Sequence, residues 1–281
     1  MAIVLNGKEF AKQCEEEFKL EVESVVKELG YIPKLATILV GDDMASVTYV
    51  NMKARACERV GLASQIVKLP SQTTTEELLS IINELNNNKM VAGILLQHPV
   101  PKHIDERLCF DSINVDKDVD GVNSESFGRM VMDRDAFISA TPYGIIRLLK
   151  HYKIDLSGKH AVVVGRSSIL GKPMAMLLLK ENCTVTICHS RTKNLVDTIK
   201  SADIVVGALG KPEYIRAEWI KPGAVLVDAG YNEGNVGDID LSHAIGSCYA
   251  YTPVPGGVGP MTINSLILQT IEGAKKMASR N

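Results

Sequence analysis

Several features that mark membrane, secreted or metal-binding proteins are missing from this sequence of 281 residues. No apolar run approaches the ~18 residues of a membrane span, and the opening Met-Ala-Ile-Val-Leu is too short for a signal-peptide core. The six cysteines are scattered without a C-x-x-C pair, and the six histidines show no H-E-x-x-H spacing. We therefore expect a cytoplasmic protein with reduced cysteines and no bound metal.

An excess of charge is also missing. The 31 basic and 33 acidic residues leave a net charge of −2, which gives no reason to expect nucleic acid or an anionic membrane as a partner. Low-complexity tracts and repeats of fixed period are absent. The apolar content of 46% is that of a globular protein, and 281 residues are enough for two domains with a core each.

Apolar, β-branched runs alternate with amphipathic segments along most of the chain, which predicts parallel sheets covered by helices. The alternation falters between about Val100 and Pro142, where we expect a domain boundary near Thr141-Pro142. The proline- and glycine-rich stretch Thr252–Pro260 is expected to be irregular, with an amphipathic helix after it. The fold class is therefore α/β, with two α/β domains around a cleft. Strands are predicted at 35–40, 64–69, 91–97, 161–165, 184–188, 204–208 and 224–229.

The stretch from Ser157 to Arg191 has the form of a phosphate site. Its apolar run Ala161–Gly165 predicts a buried strand that ends at a glycine. Gly171 and Pro173 then open an apolar run that predicts a helix, since proline is tolerated in the first turn. A strand, a glycine turn and a helix N-terminus would direct unpaired amides and the positive end of the helix dipole at a ligand.

The glycine spacing matches neither of two common phosphate motifs. Five residues separate Gly165 from Gly171, so the G-x-G-x-x-G fingerprint is absent. Lys172 is followed by proline, which excludes a Walker loop. By themselves, the glycines fit either a nucleotide site or an ordinary strand-to-helix turn.

The end of the next predicted strand favours the nucleotide site. Ser190 and Arg191 follow that strand, and Ser190 lies 19 residues after Gly171. NAD-binding folds usually carry an acidic residue at this distance, which binds the ribose hydroxyls. A hydroxyl and a guanidinium would instead bind a 2′-phosphate. The pattern therefore favours NADP over NAD.

A second candidate site follows the predicted strands of the first domain. Ser46, Tyr49 and Lys53 share one face of a helix predicted from about residue 45 to 60. Gln97 closes a strand, and Asp120 lies in a turn beyond it. A lysine, a phenol, an amide and a carboxylate without a Ser/His/Asp set suggest proton transfer on a nitrogenous substrate. The alternative is a solvated helix face, a strand-end amide and an ordinary turn.

The acidic run at Asp116, Asp118 and Asp120 is not a calcium loop. It lacks the glycine at loop position 6 and the closing glutamate.

Five motifs, in this order, give the sequence its resemblance to a known family: Ser46-Val-Thr-Tyr49-Val-Asn-Met-Lys53, Gly93-Ile-Leu-Leu-Gln97-His-Pro-Val-Pro101, Lys117-Asp-Val-Asp120-Gly, Gly165-Arg-Ser-Ser-Ile-Leu-Gly171-Lys-Pro173 and Pro255-Gly-Gly-Val-Gly-Pro-Met-Thr262. Over essentially the whole chain the sequence resembles the bifunctional methylenetetrahydrofolate dehydrogenase/methenyltetrahydrofolate cyclohydrolase family. The resemblance implies oxidation of 5,10-methylenetetrahydrofolate with NADP, followed by hydrolysis to 10-formyltetrahydrofolate.

The resemblance also implies roles for the residues of the first site. Lys53 would be the catalytic general acid and base, and Tyr49 would pack on the folate and hold the lysine. Gln97 would bind the lysine and the pterin carbonyl, and Asp120 would bind the pterin amide and amino group. The remaining substrate-binding residues would form the wall between folate and nicotinamide: Pro255, Gly256, Gly257, Val258 and Gly259.

For the cofactor, the resemblance implies binding of NADP by Gly165, Arg166, Ser167, Ser190, Arg191 and Tyr231. Three positions depart from the usual pattern of the family. Thr141 stands where many members have cysteine, Leu170 replaces a valine, and Tyr231 occupies a place usually held by isoleucine near the nicotinamide. None of these changes removes a catalytic group.

The implied architecture is a folate-binding catalytic domain (1–139 and 263–281) and a Rossmann-like NADP-binding domain (140–262). A homodimer through the nucleotide domains is expected. Two other functions remain open at this point. One is a cyclohydrolase that makes little use of its nucleotide domain, which the intact Gly165, Arg166 and Ser190 disfavour. The other is a non-catalytic NADP-binding protein, which the presence of Lys53 and Asp120 disfavours.

Overall fold

The computed structural model describes residues 2–280, and the chain divides into two units. The six-stranded unit contains residues 2–12 and Thr141–Thr262, and the three-stranded unit contains Gln13–Ala140 and the chain from Ile263 onward. We expected residues 1–12 in the folate-binding domain, whereas residues 2–12 group with the six-stranded unit in this division. The short strand Ile3–Val4 pairs with Ala250–Tyr251, which ties the start of the chain to the six-stranded unit.

Helices and strands alternate through most of the described chain, as predicted. The strands are β1 (Ile3–Val4), β2 (Lys34–Val40), β3 (Ala63–Leu69), β4 (Val91–Leu96), β5 (His160–Val164), β6 (Thr184–Cys188), β7 (Ile204–Gly207), β8 (Val225–Asp228) and β9 (Ala250–Tyr251). The helices are α1 (Gly7–Leu29), α2 (Met44–Val60), α3 (Thr75–Asn87), α4 (Glu106–Ser112), α5 (Ser124–Val131), α6 (Ala140–His151), α7 (Gly171–Lys180), α8 (Leu195–Lys200), α9 (Leu241–Ala244) and α10 (Val258–Ala278), with a 3₁₀ turn at Ala217–Trp219.

Local sequence explains where the longer helices begin. The Asn6 side chain accepts a hydrogen bond from the Glu9 amide at the start of α1. At α3 the Thr74 hydroxyl and the Glu77 carboxylate bond each other's backbone amides, which forms a capping box. The helix α10 begins at Val258, so the expectation that Thr252–Pro260 is irregular is wrong for its last three residues. Pro260 is the third residue of this helix, where a missing amide removes no intrahelical hydrogen bond.

The sheet of the three-stranded unit has the order β3-β2-β4, and all its strands are parallel. Every residue of β4 is buried, which explains why its sequence is a continuous apolar run. The close approach of Ala92 and Gly273 lets α10 pack on this strand, since a Cβ atom at Gly273 would overlap the Ala92 carbonyl oxygen. Val25 of α1 and Ala274 of α10 belong to the same buried cluster as Ala92.

The sheet of the six-stranded unit has the order β1-β9-β8-β7-β5-β6 and is parallel throughout. The chain forms β5 and β6 on one side and then crosses back to place β7 on the other side of β5. This doubly wound order is that of a Rossmann-like sheet, and it creates a crevice beyond the carboxyl ends of β5 and β7. One buried cluster of this unit includes Val162, Val205, Leu226 and Ile239.

Candidate active site and cofactor site

The three-stranded sheet changes direction at the carboxyl ends of β2 and β4. The connection from β2 leads to β3 on one side, and the next connection, from β3, crosses back to place β4 on the other side of β2. In open α/β sheets ligands bind at such a switch point. Gly41 follows β2 here, and Gln97 follows β4. The backbone N–H of Gln97 donates to the Ile38 carbonyl oxygen at 2.9 Å. The geometry of the sheet therefore places Gln97 at a ligand-binding position.

The helix α2 begins beside this switch point and carries three of the predicted site residues. Its first turn is capped by the Asp43 carboxylate, which accepts the Ser46 amide at 2.8 Å. Ser46 and Lys53 are buried, and Tyr49 is half-buried. The alternative interpretation of this face as a solvated helix surface is therefore wrong, because the face packs into the protein.

Lys53 is the central polar group of this face. Its side chain is only 8% exposed, and its Nζ atom donates to Oε1 of Gln97 at 2.9 Å. The Gln97 Nε2 atom donates in turn to the carbonyl oxygen of His98 at 2.7 Å, which orients the amide toward the lysine. Burial lowers the pKa of Lys53, and the negative charge of Asp120 opposes that shift. The amine can therefore lose its proton more readily than an exposed lysine.

The pKa of Asp120 is shifted in the opposite direction to that of Lys53. Burial raises the pKa of its carboxyl to about 6, and the positive charges of Lys53 and His98 act against the rise. His98 itself is paired with Glu106 through Nδ1 and Oε1 at 2.6 Å. A lysine with a lowered pKa and a carboxyl with a raised pKa at one sheet edge are typical of a site for proton transfer.

The turn that carries Asp120 is held by buried groups on both sides. The Asp118 carboxylate accepts the amides of Val122 at 3.1 Å and Asn123 at 3.0 Å, and burial raises its pKa to about 7. The Gln269 side chain donates to the carbonyl oxygens of Val119 at 2.7 Å and Ile138 at 2.8 Å. The position of the turn is thus set by a carboxylate within it and by Gln269, which is 150 positions from Val119.

Lys117 belongs to the same motif but has a structural role. Its Nζ atom donates to three backbone carbonyl oxygens at the C-terminal end of α3, those of Leu85, Asn86 and Asn88, at 2.8–3.1 Å. These carbonyls end a helix, where a cation is favourable. Burial lowers the pKa of Lys117 as it does for Lys53, yet all three protons of Lys117 have partners.

In the six-stranded unit, the two glycines of the nucleotide turn are required by close backbone packing. Gly165 has a φ of +140°, and a Cβ atom there would lie 2.7 Å from the Ala208 carbonyl carbon. A Cβ atom at Gly171 would lie 2.7 Å from the Arg166 amide nitrogen. The turn folds against the end of β7 at the switch point of this sheet, and the cradle has room only for glycine. Of the two interpretations, the geometry favours the nucleotide site.

The amides at the start of α7 differ from the prediction because Ser167 pairs with two of them. The amides at the start of α7 were expected to be unpaired, but the Ser167 hydroxyl accepts those of Leu170 and Gly171, each at 3.2 Å. The Lys172 amide bonds the Ser167 carbonyl oxygen at 3.0 Å. A serine before a helix readily occupies these donors. The hydroxyl proton of Ser167 and the exposed side chain of Arg166 are what the turn offers to a phosphate.

The remaining predicted cofactor residues follow other strands of the same sheet. Ser190 and Arg191 are exposed just after β6, whose Cys188 carbonyl oxygen accepts the Gly165 amide at 2.9 Å. Tyr231 lies in the loop after β8, is 55% exposed and donates its hydroxyl to Oδ1 of Asn235 at 2.6 Å. The sheet therefore brings the residues after β5 and β6 to one edge, and the exposed Tyr231 follows the end of a third strand.

The stretch Pro255–Gly259 lies in the six-stranded unit. A cis peptide bond precedes Pro255, and Gly256 has a φ of +107°. The Gly257 amide donates to the Pro253 carbonyl oxygen at 2.8 Å, and a Cβ atom at Gly257 would lie 2.7 Å from that oxygen. The predicted substrate residues are thus divided between the units, since Tyr49, Lys53, Gln97 and Asp120 belong to the three-stranded one.

The sequence analysis missed two buried carboxylates. Asp228 and Asp238 are buried at the carboxyl end of the six-stranded sheet and bind backbone amides of the loops there. An aspartate directly after the apolar run of β8, followed by glycine, was a signal for a buried carboxylate. Its partner ten residues later had no such signal.

Comparison with known proteins decides the family. The model of the tetrahydrofolate dehydrogenase/cyclohydrolase catalytic domain matches residues 5–120, and the model of the NAD(P)-binding domain of the same family matches residues 139–278. The chain belongs to the tetrahydrofolate dehydrogenase/cyclohydrolase family. It is a bifunctional enzyme, a methylenetetrahydrofolate dehydrogenase and methenyltetrahydrofolate cyclohydrolase that uses NADP.

Individual relatives of this family are similar over nearly the whole chain. The bifunctional protein FolD of Acidobacterium capsulatum is 66% identical, covering 99% of both chains, and that of Cellvibrio japonicus is 63% identical, covering 98% of both. Among solved structures, the FolD enzyme of Campylobacter jejuni has a TM-score of 0.95 at 41% identity, with 98% of this chain and 99% of that chain covered. The Trypanosoma brucei enzyme, solved with NADP and an inhibitor, has a TM-score of 0.93 at 33% identity, with 98% of both chains covered.

The described residues contain neither a membrane-spanning helix nor a group of side chains suited to a metal ion. Between residues 2 and 280, none of the helices has both the length and the apolar content needed to cross a bilayer. Over the same range, no three His, Cys, Asp or Glu side chains are grouped so that they could hold a metal ion.

Proposed function

We propose that Lys53 is the general acid and base of the cyclohydrolase reaction, with Gln97 and Asp120 as its partners. The observation that supports this most directly is the 2.9 Å hydrogen bond from a buried lysine of lowered pKa to Gln97, at the switch point of the sheet. The proposal explains why a lysine is buried here beside an amide rather than paired with a carboxylate.

The hydrolysis needs one proton acceptor and one proton donor. Water attacks the methenyl carbon of 5,10-methenyltetrahydrofolate, and neutral Lys53 accepts a proton from that water. The resulting ammonium returns that proton to the ring nitrogen that leaves, and the hydroxyl of the tetrahedral intermediate loses its proton to solvent as the formyl C=O bond forms, which opens the ring and yields 10-formyltetrahydrofolate. A cationic substrate beside Lys53 would lower its pKa further, because like charges disfavour protonation.

The other residues of this site bind and orient the folate. Tyr49 presents an aromatic ring on the same helix face as Lys53, suited to packing on the pterin. Asp120 accepts hydrogen bonds from the pterin amide and amino group while it is ionised. We assign substrate contacts also to Pro255–Gly259, where small residues let the backbone approach a ligand closely.

For the oxidation, the protein supplies orientation and a dry site rather than a reacting side chain. NADP, when bound, would supply the hydride acceptor for the one-carbon bridge of the folate. The glycine turn between β5 and α7 suits a pyrophosphate, since it joins the carboxyl end of a strand to the N-terminus of a helix. We assign the phosphate contacts to Arg166, Ser167, Ser190 and Arg191, and a position beside the nicotinamide to Tyr231.

Replacement of Lys53 by methionine tests the central assignment. K53M keeps the length and packing of the side chain but removes the amine, so hydrolysis should fall about 10²- to 10⁴-fold. Folate binding should persist, and NADPH should still form when methylenetetrahydrofolate is supplied. Hydrolysis would be followed as loss of methenyltetrahydrofolate absorbance, and folate binding by calorimetry.

K117M is the matched control for this experiment. Lys117 is the other lysine of this unit whose pKa is lowered by burial, but it holds the end of α3. K117M should lower the melting temperature and leave the hydrolysis rate per folded molecule nearly unchanged. If K53M hydrolyses within tenfold of the wild type, Lys53 is not the acid and base.

We further infer that the enzyme is a cytoplasmic homodimer assembled through its six-stranded units. The resemblance to the family supports the dimer, and β6 forms one edge of the sheet, where a strand of a second copy could pair. Light scattering of the purified protein should give twice the mass of 30.6 kDa. A monomeric mass at micromolar concentration would contradict this inference.

A further inference from the structure

Two buried carboxylates, Asp228 and Asp238, lie at the carboxyl end of the six-stranded sheet. Their side chains are 1% and 0% exposed, respectively. Buried carboxylates usually have a cation or several hydrogen bonds as compensation. The partners of this carboxylate pair are mainly backbone amides, so their effect is to position loops.

Asp238 binds three successive amides of the loop that follows β7. Its Oδ2 atom accepts from Leu209 at 2.7 Å and Gly210 at 2.9 Å, and its Oδ1 atom accepts from Lys211 at 2.8 Å. The side chain of Asn232 donates to Oδ1 at 3.2 Å. Successive amides that converge on one anion form a rigid concave turn. The path of the chain after β7 is therefore determined by one side chain 27–29 residues away.

Asp228 holds Asp238 in place. Its Oδ1 atom accepts the amides of Gly230 at 3.0 Å and Asp238 at 2.9 Å, and its Oδ2 atom accepts that of Ile239 at 2.8 Å. The Asp228 amide donates to the Thr252 hydroxyl at 2.8 Å. Asp228, at the end of β8, thus fixes the position of Asp238, and Asp238 in turn fixes the loop after β7.

Glycines make the space that this carboxylate pair occupies. A Cβ atom at Gly237 would lie 2.7 Å from Oδ1 of Asp228, and one at Gly230 would lie 2.7 Å from the Asp238 amide nitrogen. Both distances are shorter than real Cβ contacts. The backbone is therefore folded tightly around the pair.

The loop that Asp238 holds begins next to the nucleotide turn. Ala208 immediately precedes the three bound amides, and its carbonyl group packs against Gly165 so closely that a Cβ atom there would overlap it. The Ala208 amide continues the pairing of β7 with β5 through the Val164 carbonyl oxygen at 2.9 Å. A shift of the loop would therefore move one wall of the cradle at Gly165.

We propose that Asp238 is a positioning residue for NADP, which sets the wall of the nucleotide cradle at Ala208 and is itself held by Asp228. The proposal rests on the assignment of Gly165–Gly171 as the NADP site. It does not require Asp238 to touch the cofactor.

The variant D238N tests this role. An asparagine keeps one acceptor oxygen but turns the other atom into a donor that faces a backbone amide, so part of the turn loses its partner. The dissociation constant for NADP, measured by fluorescence titration, should rise at least about tenfold. Hydrolysis of premade methenyltetrahydrofolate without cofactor should stay within twofold, because Lys53, Gln97 and Asp120 belong to the other unit. Hydrogen exchange at Leu209–Lys211 should become faster.

D203N is the matched control in the same sheet. Asp203 also accepts a backbone amide, that of His160 at 2.9 Å, and pairs with Lys221 at 2.6 Å, but His160 begins β5, at the opposite end of the strand from Gly165. The affinity of D203N for NADP should stay within twofold of that of the wild type. The milder variant N232A removes one donor to Asp238 and should weaken NADP binding in the same direction, which keeps the test available if D238N does not fold.

Two results would overturn the proposal. One is NADP affinity of folded D238N within twofold of the wild type. The other is a parallel fall of both activities in D238N, which would indicate a general structural role. If the wild type itself binds no NADP, the assignment of the nucleotide site fails instead, and this outcome is distinct from the first two.

Discussion

The cradle of the nucleotide site allows a sharp prediction for G165A. The added Cβ atom would lie 2.7 Å from the Ala208 carbonyl carbon and even nearer to its oxygen, whereas ordinary contact begins at 3.4 Å. Relief of the contact with the carbonyl carbon alone requires a shift of at least about 0.7 Å between the two backbone segments. The Ala208 side of the contact cannot yield easily, because the next three amides are bound by Asp238.

This shift is large compared with the tolerance of a hydrogen bond. A bond of about 2.9 Å stretched by that amount exceeds the usual range of donor–acceptor distances. Loss of two bonds to charged phosphate oxygens, at about 1.5–3 kcal/mol each, corresponds to at least about 3 kcal/mol. The dissociation constant for NADP should therefore rise by about 100-fold or more.

The variant G158A separates this clash from the cost of the backbone conformation. Gly158 also has a positive φ, of +72°, but no atom lies within 4 Å of the Cβ position. Both variants therefore carry the strain of alanine at positive φ, about 1–3 kcal/mol, and only G165A carries the clash. Titration with NADP and thermal unfolding of both proteins would be compared. An affinity of G165A within threefold of that of G158A would refute the reasoning.

Three further predictions concern the folate turn and cofactor choice. Because burial raises the pKa of Asp120 to about 6, its protonated form accumulates as the pH falls from about 7 to about 5, and kcat/KM for hydrolysis should fall over that range. D120N should lose this pH dependence, and an unchanged profile would exclude Asp120 as its source. R191A should weaken binding of NADP by about tenfold and leave that of NAD unchanged in parallel titrations, since only NADP carries the 2′-phosphate; equal losses would contradict the assignment. G121A should lower folate affinity, and should lower the melting temperature by several degrees, because Gly121 has a φ of +63° and packs on the Ile138 backbone. G128A, in open space on α5, should leave folate affinity unchanged and should not lower the melting temperature.

Much of the secondary structure followed from local sequence. Buried strands such as β4 are continuous apolar runs, and helix starts such as that of α3 carry their own caps, so each is determined by residues within a few positions. The five motifs likewise place Lys53, Gln97 and Asp120 in one family pattern. These features are predictable because the groups that interact are close together in the chain.

The tertiary structure decided matters that depend on distant partners. Whether the face with Lys53 is solvated or buried depends on what packs against α2, and its burial is the cause of the lowered pKa. The start of the chain joins the six-stranded unit only because β1 finds its partner in β9, some 245 residues later. Sequence periodicity carries no information on such pairings, since any apolar strand edge could accept a two-residue strand.

The buried aspartates show the same division most clearly. The sequence by itself determined that Asp228 ends a strand and that glycines follow it, which is a local pattern. Only the fold decided that Asp238 faces the amides of the loop after β7, because that contact joins residues 27–29 positions apart. A carboxylate is stable in the interior only where donors surround it, and those donors exist only once the sheet has formed.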